Sequence, residues 1–296
     1  ETLIGVTSGN LGNVHLQQGR LDEALECYEK AIDAHRRIGD RSGEGVKIGN
    51  IAIVAYNRGQ LDRAAELYET SIAIARETGN RAIEGKMVGN LALLESDREN
   101  FDRADELFAD ALAIARSIGD RREEGIILGN EACQHFRRAR FDEAFAANAE
   151  ALAVSRELGN SRSEAILLTM QCVAERTLGR LTDAASSVAR AFELLGQSSD
   201  MLHMGLAWCE MGHVDLARGR DARAALERAR DVQRALDASP ESDLGQNIAR
   251  LARAVDAAAD GEALFRGQCV EDLSPPIRAW LGQLGKTCCW PTRPAT

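Results

Sequence analysis

Proline is nearly missing from this chain: five in 296 residues, three of them beyond Pro275. Helices ahead of the tail therefore meet few breakers. Aromatic residues make up only 4%, so the core must come from the Ala, Leu, Ile and Val that dominate the 45% hydrophobic fraction. These features point to an all-α protein. Lysine is scarce as well. Four lysines leave 32 arginines among the 36 basic residues, and with the many alanines this composition points to a bacterial source. No run of 18 apolar residues exists, which excludes a membrane-inserted helix.

Positive charge is in deficit too. A net charge of -10 argues against a nucleic-acid partner, which calls for a basic face. Seven cysteines are scattered without metal spacing. Cys27, Cys133 and Cys172 fall in helical patterns as small core residues, which fits a reducing cytosol. Walker loops, Gly-x-Ser-x-Gly and His-Glu-x-x-His are all missing. The carboxylate pair Glu123–Glu124 reads as first-turn helix charge. The reading is of no enzyme, no metal and no cofactor.

What is present is a period of 40. One column runs Ala24, Ala64, Ala104, Ala144, Ala184, Ala224, and another Ser8, Ile48, Val88, Leu128, Leu168, Trp208. Gly39–Asp40, Gly79–Asn80, Gly119–Asp120 and Gly159–Asn160 recur at the same interval. Each unit holds two helical patterns split by a glycine, such as Gly59 in the second unit. The next glycine stands where a left-handed helix end is wanted, with Asp or Asn opening the following helix. Glu44, Glu84, Glu124 and Glu164 fall in that helix's first turn, where the dipole favours an anion.

Leu11–Gly12, Gly19, Ala24, Tyr28 and Ala31 stand at the packing positions of the tetratricopeptide repeat, which the sequence resembles over about residues 3–235. Its period of 40 exceeds the usual ~34, and the extra residues are expected in the second helix. The variant is similar to the repeats of kinesin light chains, of spindle-orientation adaptors and of bacterial signalling proteins. The resemblance implies an α-α superhelix of about six hairpins, with the first helix of each lining a concave groove. The expected units are 1–40, 41–80, 81–120, 121–160, 161–200 and 201–238. Capping helices are expected over 239–284, including 242–259 and one started by Pro275–Pro276, and a disordered tail over 285–296. In the sixth unit Arg228 stands in the column of Tyr28, Tyr68 and Phe108. The first unit carries no cap, and the chain starts at Glu1, so more repeats or another domain are expected upstream.

The candidate site is a second column, Gly9–Asn10, Gly49–Asn50, Gly89–Asn90 and Gly129–Asn130. Glycine inside a helix costs about 0.5–1 kcal/mol against alanine, yet it recurs four times. In similar repeats an asparagine at this place bonds the backbone of an extended peptide. Its amide offers both donor and acceptor, and the glycine beside it removes a Cβ from the ligand's path. Asn13, one turn on from Asn10, extends the column. The alternative is that Asn and Gly only satisfy inter-helix packing. The function read from this is a cytoplasmic scaffold or regulatory module that binds a protein or peptide segment, with Asn50, Asn90 and Asn130 open to solvent. A ligand-sensing regulatory domain and a self-association module are the alternatives.

Overall fold

A computed structural model describes residues 1–259; the expected Pro275–Pro276 helix and the 285–296 tail lie outside them. Every regular element among the described residues is an α-helix. The helices alternate in hairpins: α1 (Thr2–Gln17) with α2 (Leu21–Arg37), α3 (Arg41–Asn57) with α4 (Leu61–Glu77), and α5 (Arg81–Asp97) with α6 (Phe101–Ile118). There follow α7 (Arg121–Arg137) and α8 (Phe141–Glu157), α9 (Ser161–Thr177) and α10 (Leu181–Leu195), α11 (Met201–Ala217) and α12 (Arg223–Ala235), then α13 (Asp243–Ala259). Both α3 and α4 have 17 residues, so the long period is not concentrated in the second helix as expected. The described residues form two compact units, Glu1–Ile127 and those from Leu128 on.

Local chemistry accounts for the alternation. Gly39 and Gly79 turn left-handed at φ 71° and 69°, and the next amide returns to the helix end, as Asp40 N–H does to the His35 carbonyl at 2.9 Å. Asp40, Asn80, Asn160 and Asp200 then cap odd-numbered helices by accepting from the backbone three residues on. The first-turn glutamates are more than dipole charges. Glu44 is clamped by Arg36 Nε and Arg41 Nη1, both at 2.7 Å. Arg76 and Arg81 hold Glu84, and Arg116 and Arg121 hold Glu124, in the same manner. Each clamp ties the end of one hairpin to the start of the next.

The two helices of a hairpin are buried differently. Even-numbered helices are amphipathic: α4 buries Ala64, Tyr68, Ser71, Ile72, Ile74 and Ala75 and leaves Asp62, Glu66 and Glu69 wet. Odd-numbered helices inside the stack are enclosed almost all round. In α3 only Arg41 and Asn57 are exposed, and in α5 only Arg81 and Ala82. Small residues permit this: Ala24, Ala52, Ala64, Ala92 and Ala104 have no exposed surface.

In the second unit α13 packs on α11 and α12 through Leu244, Ile248, Leu251 and Val255. The alanine column fails there. Ala224 is exposed, while Ala225 and Ala229 are buried. Helix α12 is shifted by one residue, so Ala229, not Arg228, takes the place of Tyr28, and Arg228 points to solvent.

Candidate functional site

The Gly–Asn column lies where consecutive odd-numbered helices meet. Asn10 is exposed, but Asn50, Asn90 and Asn130 are 0%, 5% and 3% exposed and Asn13 is 7%. Openness to solvent, expected of the three middle asparagines, is therefore overturned. The cause is non-local: α3 packs on α1 as well as on α2 and α4. Asn50 Nδ2 donates to Asn13 Oδ1 at 3.2 Å, and the Tyr28 hydroxyl donates to the same oxygen at 3.0 Å. Asn10 has no earlier helix over it.

The glycines have a different role from the one expected of them. A Cβ on Gly9 would lie 2.6 Å from Lys47 Cε, and one on Gly49 would lie 2.5 Å from Met87 Sδ. On Gly89 it would stand 3.4 Å from Ile127 Cγ1. Lys47, Met87 and Ile127 are themselves 40 apart. The glycines thus admit a side chain of the next odd-numbered helix rather than a ligand. Gly129 is buried as well.

A profile of the tetratricopeptide repeat matches residues 3–77 and again 45–117. The chain carries tetratricopeptide repeats. The solved structure of BtubC (BKLC) from P. vanneervenii is 19% identical, with a TM-score of 0.63, covering 74% of this chain and 93% of that one. The apo form of RapI is 14% identical, with a TM-score of 0.63, over 88% of this chain and 77% of that one. The apo form of the quorum sensor NprR from B. thuringiensis is 12% identical, with a TM-score of 0.61, over 96% and 83%. At these identities the likeness is one of fold. No curated protein matches the sequence.

Within the tetratricopeptide array the enclosed helices still carry polar groups. The amide oxygens of Asn50 and Asn130 are buried and accept no hydrogen bond. Lys47 is 5% exposed, and burial lowers the pKa of its ammonium. Lys86 is lowered by burial too, against the opposing pull of Glu123. Burial pushes Glu123 up to about 7, with Lys86 pulling the other way and Asp120 adding to the rise. Its neighbour Glu124 goes down: burial raises it, but hydrogen bonds and charge from Arg116 and Arg121 outweigh that. The sequence reading passed over Lys47 and Lys86. Their signal was available, since two of the four lysines sit in enclosed helices rather than on wet faces.

The second unit uses different polar residues. Glu210 stands in the asparagine column of α11, is 3% exposed, and accepts from Arg176 Nη2 at 3.2 Å. Burial raises its carboxyl, partly offset by Arg176 and Arg250. The same surroundings push His213 down to about 3, burial first and then the two arginines. Glu175 accepts from Ser187 Oγ and from Gln171 Nε2, each at 2.7 Å, and Gln171 Oε1 accepts from Asn148 Nδ2 at 3.0 Å.

Proposed function

We propose that this array is a protein-interaction module that takes an extended segment of a partner along its odd-numbered helices, by binding and without catalysis. Residues 1–238 form the array in this reading, and the segment from 239 caps it. The observation that carries the proposal is the unmatched amide column. A buried acceptor without a donor costs about 1–3 kcal/mol, so a polar column in otherwise apolar helices is a poor choice for stability alone. A peptide backbone supplies the missing N–H donors. In the first unit the contacts are Asn50 and Asn90, with Asn10 and Asn13 at the near end and Gly9, Gly49 and Gly89 alongside. In the second, Gly129–Asn130 carries the same chemistry. Its setting is the reducing cytoplasm, where the buried thiols of Cys27, Cys133, Cys172 and Cys209 persist.

Burial of the column favours the regulatory form of this reading. The amides are covered, so a ligand must favour a more open arrangement of the odd-numbered helices and shift the population toward it. Binding is then coupled to shape, as a sensor requires.

The test is selection of a displayed peptide library on the whole chain, followed by affinity measurement on Asn50→Ala/Asn90→Ala. Loss of two hydrogen bonds at about 0.5–1.5 kcal/mol each predicts binding weakened about five- to 100-fold, with the melting temperature nearly unchanged. Small-angle scattering should change when the selected peptide is added. Equal affinity of wild type and variant refutes the column as the site.

A further inference from the structure

Helix α1 has an apolar stripe that nothing covers. Leu3, Ile4, Val6, Leu11 and Val14 are 75%, 50%, 47%, 50% and 46% exposed. Leu3, Ile4, Thr7, Leu11 and Val14 follow the three- and four-residue spacing of one helix face. That face lies opposite the buried Gly5, Gly9 and Gly12. The equivalents of Leu11 and Val14 one period later, Ile51 and Val54, are 7% and 1% exposed, packed in a cluster with Ala24, Tyr28 and Ile32 of α2.

The rest of the stripe departs from an internal junction. Where Glu44, Glu84 and Glu124 are clamped by arginines, this unit has Ile4, and where Arg41, Arg81 and Arg121 supply the clamp it has Glu1. Helix α1 contains no Asp, Glu, Lys or Arg at all. The face thus keeps the apolar half of a hairpin junction and lacks the charged half. A further hairpin of the internal kind would bring an arginine like Arg36 against Ile4, with no carboxylate to receive it. A surface that is apolar and uncharged along its whole length is complementary to itself.

We propose that this face binds α1 of a second copy of the chain, antiparallel, about a two-fold axis near Ser8–Gly9. Such an axis sets Leu3 of one copy against Val14 of the other, Val6 against Leu11, and the Thr7 hydroxyl against the Asn10 amide. Helix α1 is about 24 Å long at 1.5 Å per residue, too short to pair alone. Backed by α2 in each copy, the two hairpins form a four-helix bundle. The pairing covers Asn10 and leaves the column from Asn50 onward to the peptide.

The test is sedimentation equilibrium of the whole chain from about 1 to about 100 µM, the range that interfaces of this size span. Wild type should pass from the mass of one chain to that of two. Leu11→Glu/Val14→Glu replaces exposed side chains, so its helical circular dichroism and melting temperature should match wild type. Its dimer dissociation constant should rise about 100-fold or more, because each carboxylate would face an apolar wall. A wild type that stays monomeric throughout overturns the proposal. So does a variant that dimerises as well as wild type, which would place the contact on another face. Peptide binding through Asn50 and Asn90 is read separately, on monomeric Leu11→Glu/Val14→Glu, so the two proposals stand or fall independently.

Discussion

Helices α3 and α4 are the same length and belong to one hairpin, yet they obey different rules. Helix α4 touches neighbours on one side, so its pattern is the ordinary stripe of apolar residues with Asp62, Glu66 and Glu69 outside. Helix α3 is enclosed by α1, α2, α4 and α5, and its residues are chosen by size more than polarity. Gly45, Lys47, Gly49 and Asn50 are all buried in it. The lesson is that in a stacked array one helix per hairpin serves as core for its neighbours. In such a helix a glycine or an amide marks close approach.

Gly49→Leu tests this most severely. Its Cβ alone would sit 2.5 Å from Met87 Sδ and 2.9 Å from Ser71 Oγ. The change should cost about 3 kcal/mol or more through overpacking, seen as a melting temperature lower by about 6–12 °C. Glu69→Leu on α4, which is exposed, should stay within about 0.5 kcal/mol. Equal effects would erase the distinction between the two helices.

A second test sets two adjacent carboxyls on α7 against each other. Glu123 has its folded pKa raised to about 7. Its stabilising state is therefore the protonated one, and stability falls as pH rises from the ordinary carboxylate range toward 7. Glu123→Gln should be the more stable protein at pH 8, by about 1–3 kcal/mol, and lose that advantage near pH 4. Glu124 is lowered by its arginines, so its contribution is present at neutral pH and fades as pH falls below the ordinary carboxylate range. Glu124→Gln should be destabilised at pH 7 by about 1.5–3 kcal/mol and approach wild type in acid. Thermal melts at a series of pH values read both, and parallel curves would refute the assignment.

The smallest effect belongs to the turns between the two helix types. Where Gly19, Gly59 and Gly179 turn left-handed, Glu99 and Ala139 hold φ of 64° and 54°. A Cβ is strained there, so Ala139→Gly should raise stability by about 0.5–1 kcal/mol in chemical denaturation, where glycine in an ordinary helix lowers it. A loss would mean that the turn is not strained.

Much of this was legible in the one-dimensional pattern. The period of 40, the capping Asp and Asn, and the turn glycines are local signals, and the backbone follows them because caps and left-handed turns need particular side chains. The stripes of α4 and α6 followed from periodicity for the same reason. Less legible was the one-residue shift at α12, where the alignment ran through Ala224 while burial chose Ala225 and Ala229. Nor did residue types alone reveal that Asn50 would bond Asn13 from 37 positions away.

By itself, then, the sequence determined an all-α repeat: two helices per 40 residues, with starts and stops written in residues a few positions apart. Tertiary structure decided which faces of those helices see water. The Gly–Asn column looked open because an isolated hairpin leaves it open. It closes when the next hairpin lays Lys47, Met87 or Ile127 over the glycine. Burial is set by contacts between residues some 40 positions apart, and helical periodicity within one element carries no record of them.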